Sequence, residues 1–371
     1  VLSVVLGAIA VYLITLGLGQ LAATHWGLRG VSLVGPSRWV GYVVGLGLLV
    51  SGALILPQTA FVLLWTPLMG LLALLVLLLG GSFIAPVPHP NILFSPEHPA
   101  HSGCQSVQIP NGDELIPGLL LTPPQSSAKG KKGDGAAVCI VPGAGDTKIS
   151  FKWRLVHTLL AEGLTVLTID PPGHGDYRYR PLVYPDCLAT IPAAIQFLRE
   201  QPGINSVGLV GISLGGAISL NALAEQAKLG QNLVDALVIF ATPTRLDYSR
   251  ALFYREMWST FYRAPVLSLL KETTARQVWD SWHTGGYRSR HNATKLFELL
   301  NPQKNITSLK TTPILLVYSR RDLVAPLDQA QAMRQAAPHA RYIESKKASH
   351  VMLTLIPEVN RQVARWLREQ L

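Results

Sequence analysis

Acidic residues are missing from the first 85 positions, and those positions hold only two basic residues, Arg29 and Arg38. Over the whole 371 residues only 15% are Asp, Glu, Lys or Arg, where a soluble domain usually carries about a quarter. That scarcity points to a membrane protein, or to a soluble domain with a membrane part attached. Cysteine is scarce as well. Cys104, Cys139 and Cys187 are odd in number and far apart, so no disulfide framework and no metal-ligand spacing appears. Cys139 lies in an apolar, strand-like run and reads as a small core residue, which fits a reducing compartment. A nucleic-acid motif is also lacking. The net charge of +10 comes from scattered basic residues, apart from Lys129, Lys131 and Lys132 in a Gly/Ser-rich loop, so nucleic acid is not an expected partner. Such charge suits anionic lipid headgroups beside a membrane, or is simply a solvated basic surface.

What fills the charge-poor end is apolar. Residues 1–23, 39–56 and 59–85 form three such stretches, each near or above the roughly 20 residues needed to cross a bilayer as a helix. The first lacks the basic flank of a signal peptide and is followed by two more, which favours a membrane helix. Pro57 and Gln58 join the second and third as a tight hairpin. Gly41, Gly45 and Gly52 either permit close helix contact or reflect the ordinary tolerance of membrane helices for glycine. Arg29 and Arg38 lie between the first two stretches and place that loop in the cytoplasm. The expectation is an integral, multi-pass membrane protein with about three transmembrane helices over residues 1–85 and a cytoplasmic remainder. The sequons at Asn292 and Asn305 matter only if that remainder is exported.

Residues 86–103 are rich in Pro and His and read as a linker. His89, His98 and His101 match no ligand pattern, so no metal is expected there. From residue 104 to 371 the pattern alternates. CQSVQIPNGDELIPGLLLTPP reads as two strands around a turn. AAVCIVPGAGD, LTVLTID, SVGLVG, DALVIFAT and TTPILLVYS are short apolar strands. Helical segments stand between them: SFKWRLVHTLLAEG with Gly163 as its stop, CLATIPAAIQFLREQPG with an awkward internal Pro192, LGGAISLNALAEQA, and a final amphipathic helix with Val359, Val363, Trp366 and Leu367 on one face. Alternation of this kind implies an α/β fold, a largely parallel sheet covered on both faces, with the first two strands as an antiparallel edge.

Gly211-Ile212-Ser213-Leu214-Gly215 is a G-x-S-x-G pattern. With 32 glycines in the chain, chance supplies such a match about 0.2 times at ordinary composition, so context decides. A strand precedes Ser213 and a helix follows Leu214, the setting in which a serine sits exposed on a sharp turn. A serine hydroxyl needs a base, and the base an orienting acid. Asp322 follows the strand LLVYS, and His350 follows YIES just before the last helix. Together with LTIDPPGHGDY, these segments resemble, in their order along the chain, the α/β-hydrolase-fold serine hydrolases.

That resemblance implies Ser213 as nucleophile, His350 as general base and then acid, and Asp322 as the residue orienting the imidazole. Asp328, the rival acid, fits better as a helix N-cap, and His174 belongs to a structural loop of the family. The oxyanion hole implied is the backbone N–H of Leu214 with that of Ala144 in VPGAGD; this chain has Pro142-Gly143 where many members have His-Gly. Asp146 caps the following helix or contacts substrate. Residues 244–310 stand where such folds insert a helical lid, and Tyr254, Trp258, Phe261 and Tyr262 follow helical spacing there. They pack the lid onto the domain, or line an apolar acyl cleft, or both; Phe253, Trp279 and Trp282 add to the aromatic content. The expected function is a membrane-anchored serine hydrolase of a hydrophobic or lipid-like carboxylic ester, needing no cofactor and no metal. An acyltransferase or thioesterase would use the same residues, and a non-catalytic membrane assembly protein is the alternative from another class.

Overall fold

A computed structural model of the chain describes residues 2–26, 32–34, 38–56, 62–84, 103–123, 135–148, 153–247, 249–263 and 287–371. Residues 86–102 of the expected linker, the Lys129–Lys132 loop, Trp279 and Trp282 fall outside these residues. Packing divides the chain into two units, one holding the N-terminal helices and the other the sheet.

In the first unit α1 (Leu2–Trp26) and α2 (Arg38–Ile55) are long and apolar enough to cross a membrane. A third apolar helix, α3 (Val62–Ile84), follows and contains Pro67. The second-stretch glycines lie at the α1–α2 contact, which favours close approach over mere tolerance. A Cβ on Gly45 would stand 2.8 Å from the Leu21 side chain, and one on Gly52 would stand 2.8 Å from the Ala10 carbonyl oxygen. Backbones this near gain dispersion contacts that larger side chains would prevent. Leu16 and Ala23 of α1 pack with Ala73 and Leu77 of α3. Gln20 is fully buried yet satisfied. Its Nε2 donates to Thr24 Oγ1 and Ser32 Oγ, at 2.9 and 3.1 Å, and its Oε1 accepts from Leu33 N at 2.7 Å. An amide left unpaired there would be costly.

The second unit is built on an eight-stranded sheet of order β1-β2-β4-β3-β5-β6-β7-β8 among the described residues. The strands are β1 (Cys104–Asn111), β2 (Glu114–Leu121), β3 (Ala136–Val141), β4 (Thr165–Ile169), β5 (Ser206–Ile212), β6 (Ala236–Phe240), β7 (Ile314–Ser319) and β8 (Arg341–Ser345). β1 and β2 form the antiparallel edge, β2 meets β4 antiparallel, and the remaining pairings are parallel. Every residue of β3, β6 and β7 is buried, which explains their unbroken apolar runs: a parallel sheet covered on both faces has no solvent side to alternate toward.

Among the described residues the α-helices of this unit are α4 (Trp153–Ala161), α5 (Thr190–Arg199), α6 (Leu214–Lys228), α7 (Arg250–Arg263), α8 (Ala293–Leu300), α9 (Pro302–Ile306), α10 (Leu327–Ala336) and α11 (Pro357–Gln370). Gly163 ends α4 with φ of 88°, as its position predicts. Pro192 proves harmless because it occupies the first turn of α5, where backbone N–H groups have no intrahelical acceptor to lose. The buried face of α11 carries Val359, Val363, Trp366 and Leu367.

Two expectations need correction. Asp328 is not an N-cap. Pro326 holds that position on α10, and Asp328 sits in the first turn with its carboxylate 3.3 Å from the exposed Arg245 guanidinium. Within residues 244–310, Tyr254 and Trp258 on α7 are 57% and 71% exposed, so neither is a buried packing residue of the helix. The side chains of Phe253, Phe261 and Tyr262 lie outside the described set. α8 and α9, in the same span, pack on α6 and are tied to it by Asn221, whose Nδ2 donates to the Leu300 carbonyl at 3.1 Å.

Candidate active site

Ser213 stands between β5 and α6 with φ of 50° and ψ of −115°. This backbone is strained for a residue with a side chain, and its neighbours hold it there. A Cβ on Gly215 would lie 2.3 Å from the Pro142 carbonyl oxygen and 2.4 Å from that of Val141. One on Gly211 would lie 2.5 Å from Gly216 Cα. The glycines of the motif are therefore steric requirements of a turn that presses strand, helix and the loop after β3 together. Ser213 N donates to the Phe240 carbonyl at 2.8 Å, and Thr242 Oγ1 donates to the Ser213 carbonyl at 3.0 Å. Tyr318 OH in turn donates to the Thr242 carbonyl at 2.7 Å.

The structure brings Ser213, His350 and Asp322 together from three separate loops. His350 Nε2 lies 3.0 Å from Ser213 Oγ, and its Nδ1 lies 2.7 Å from Asp322 Oδ2. Asp322 is buried, and its other oxygen accepts from Val324 N at 2.8 Å and Ala325 N at 2.7 Å. Those bonds leave Oδ2 aimed at the ring. Ser319 Oγ, at the end of β7, donates to the Ala348 carbonyl at 2.5 Å and so ties the strand leading to Asp322 to the segment leading to His350. Burial of the His350 ring works against its charged form. The carboxylates of Asp322, Glu256 and Asp146 outweigh it, and the imidazole pKa is raised above its ordinary value.

Leu214 is the first residue of α6, so its N–H has no partner within the helix. Ala144 occupies a turn whose closing bond runs from Asp146 N to the Gly143 carbonyl, 3.1 Å, with Gly145 at φ of 81°. This is the left-handed third position of a type II turn. The loop passes close beside the serine, since a Cβ on Gly143 would stand 3.3 Å from Ser213 Cβ. Asp146 acts on His350 through its charge, and residues 149–152, between it and α4, lie outside the described residues.

The far end of this loop is anchored by Lys148, which the sequence did not single out. Its Nζ lies 2.6 Å from both Asp170 Oδ2 and Asp176 Oδ2, and its N–H donates to Asp170 Oδ1 at 2.6 Å. His174, at 1% exposure, bonds the Pro172 carbonyl through Nδ1 and stacks on Tyr287 with ring centroids 5.0 Å apart. Its surroundings are those of a packed structural histidine. Among the described residues no group of three or more His, Cys, Asp or Glu is arranged to hold a metal ion.

Glu256 also escapes a reading of the sequence. It projects from α7, is 3% exposed, and accepts from His350 N at 2.6 Å and from Leu323 N at 3.2 Å. An acid amid exposed aromatics on a predicted lid helix gives no signal of that contact; only the tertiary fold makes it.

A serine on a strained strand-to-helix turn, a mostly parallel sheet and an Asp–His pair arriving on later loops define the α/β-hydrolase architecture. The family model described as the alpha/beta hydrolase family matches residues 138–366, well over half of the chain, and the chain belongs to that family. Among curated proteins, the putative non-heme bromoperoxidase BpoC of Mycobacterium tuberculosis is 23% identical over 249 residues, spanning 61% of this chain and 91% of that one. Among solved structures, a meta-cleavage product hydrolase superposes with a TM-score of 0.54 at 17% identity, covering 71% of this chain and 98% of the other. An esterase of Pyrococcus furiosus gives a TM-score of 0.50 at 18% identity, covering 72% and 91%. Identities this low show a shared fold and nothing finer.

Proposed function

We propose that this chain is a membrane-anchored serine hydrolase that cleaves a carboxylic ester of a hydrophobic or lipid-like substrate. The observation that carries the reading is the hydrogen-bonded series from Ser213 Oγ through the His350 ring to the buried Asp322 carboxylate. Ser213 Oγ attacks the acyl carbonyl carbon while His350 Nε2 takes its proton. Asp322 stabilises the imidazolium that forms. The negative charge arising on the carbonyl oxygen is received by the N–H groups of Leu214 and Ala144. His350 then gives the proton to the departing alcohol oxygen, leaving an acyl ester on Ser213. Water, deprotonated by the same imidazole, attacks that ester, and the carboxylic acid leaves as Ser213 recovers its proton.

The substrate class rests on location and surface chemistry. α1 and α2 are suited to a bilayer; α3 serves as a third span, and the two arginines between the first stretches put the hydrolase domain in the cytoplasm. Exposed Tyr254 and Trp258 add apolar surface between β6 and β7.

Membranes carrying the protein, treated with a fluorescent fluorophosphonate, test the reading. The native chain is expected to label and Ser213→Ala to remain dark. A folded native chain that takes up no probe removes the enzyme reading. Protease digestion of sealed vesicles tests the sidedness: the domain should be cut in inverted vesicles and protected in right-side-out ones.

A further inference from the structure

On α7 two polar side chains are buried. Of its described side chains the fully buried ones are Glu256 and Thr260, at 3% and 1% exposure, while Tyr254 and Trp258 stand 57% and 71% exposed. Glu256 and Thr260 are four apart and so share one face. That face lies on the two loops that carry the acid and the base. Glu256 Oε1 accepts from the backbone N–H of His350 itself at 2.6 Å, and Oε2 accepts from Leu323, the residue after Asp322, at 3.2 Å. Thr260 Oγ1 lies 2.7 Å from the hydroxyl of Ser349, the residue before His350.

Burying a carboxylate is costly unless its oxygens are paired, and here each oxygen meets an N–H donor. Ionised, the group satisfies both. Protonated, it would turn an O–H toward a donor. Burial and the neighbouring Asp322 push the Glu256 pKa up, while His350 and the two N–H bonds pull it down, with a net rise. The two N–H donors favour the anion in the assembled site.

We infer that Glu256 is a positioning residue: one carboxylate on α7 bridges the backbones of the His350 and Asp322 loops, fixes their separation, and adds a second negative charge beside the imidazole. The inference rests on the serine-hydrolase reading of the same site. Glu256 touches no reacting atom in this scheme. It acts through His350, holding the ring in line between Asp322 and Ser213. The helix that crosses the site thereby becomes part of the catalytic support, so that displacing α7 loosens the histidine.

The test uses the full chain purified in detergent and the second-order rate of fluorophosphonate labelling measured against pH. The charged groups facing His350 are Asp322, Glu256 and Asp146, so removing the Glu256 charge lowers the pKa of the imidazole. Glu256→Gln is expected to lower the plateau rate about 10- to 100-fold, the factor set by a buried N–H left facing an amide donor. It should also move the acid limb of the profile to lower pH, which looser packing alone would not do. Glu256→Asp keeps the charge but is one methylene too short to span both N–H groups; it should lose rate about tenfold or more with its limb in place. Thermal unfolding confirms that each variant is folded. If Glu256→Gln does not fold, Glu256→Asp decides, and a rate equal to the wild type overturns the inference. A folded Glu256→Gln that labels within twofold of wild type with an unmoved limb overturns it too. An unlabelled wild type instead overturns the hydrolase reading and the inference together.

Discussion

Asp322→Asn separates orientation from folding at this site. Asp322 accepts three hydrogen bonds in the structure. Oδ1 takes two, from Val324 and Ala325, and Oδ2 takes one, from His350 Nδ1. Asparagine retains an oxygen for the two backbone donors, so the loop keeps its shape. The other position becomes an NH2 donor. The neutral imidazole answers by carrying its proton on Nε2 and accepting at Nδ1. That tautomer presents N–H, and not a lone pair, to Ser213 Oγ 3.0 Å away. The base is then in place but in the wrong protonation state, and no anion remains behind the imidazolium. Ester hydrolysis should fall about 10³- to 10⁴-fold, or roughly 4–5.5 kcal/mol at 1.36 kcal/mol per decade. Folding should lose no more than about 1–2 kcal/mol, since one charge-assisted bond is replaced by a neutral one. Steady-state hydrolysis of a p-nitrophenyl ester and a thermal melt of the same preparation measure both. Activity within tenfold of wild type would refute the orienting role. A variant that fails to fold would refute the claim that Oδ1 alone holds the loop.

The wild-type rate against pH should rise on a limb above the ordinary histidine value of about 6.5, because the carboxylates around His350 raise its pKa and only the neutral ring accepts a proton; a limb below that value contradicts the electrostatics. Gly215→Ala forces a Cβ to within 2.3–2.4 Å of two backbone oxygens and should cost about 1–3 kcal/mol or more of stability, read as a lower Tm with loss of probe labelling. Gly45→Leu, whose Cβ would meet Leu21 at 2.8 Å, should spread α1 from α2 and lower the Tm in detergent by an amount of similar origin, while the labelling rate of surviving protein stays unchanged.

The sheet and three of the site residues were legible in the sequence because each is written locally. Buried parallel strands leave apolar runs, as in β3, β6 and β7; Ser213 follows the nearly buried β5 and Asp322 follows β7, while His350 follows the partly exposed edge strand β8. The order of those loops along the chain carries the rest. Glu256 was illegible for the opposite reason. Its importance comes from two N–H groups some 70 and 90 residues downstream, and no periodicity records a backbone donor. The aromatic spacing of Tyr254 and Trp258 is real, but both side chains are exposed, while Glu256 and Thr260 of the same helix are buried. Asp328 misled in a smaller way. An acid near a helix start suggests a cap, yet Pro326 takes that place and the carboxylate pairs with Arg245. Lys148 became visible only once β3 and β4 stood side by side and brought Asp170 to it.

In the proposed reaction Ser213 carries the acyl group between the two halves. Rapid mixing with an activated acyl ester, an acid quench and peptide mass mapping measures it directly. A single acyl adduct is expected on the peptide containing Ser213, formed with a burst of released alcohol and absent from Ser213→Ala. Turnover of the ester with no adduct on that peptide, or turnover that survives Ser213→Ala, would contradict it.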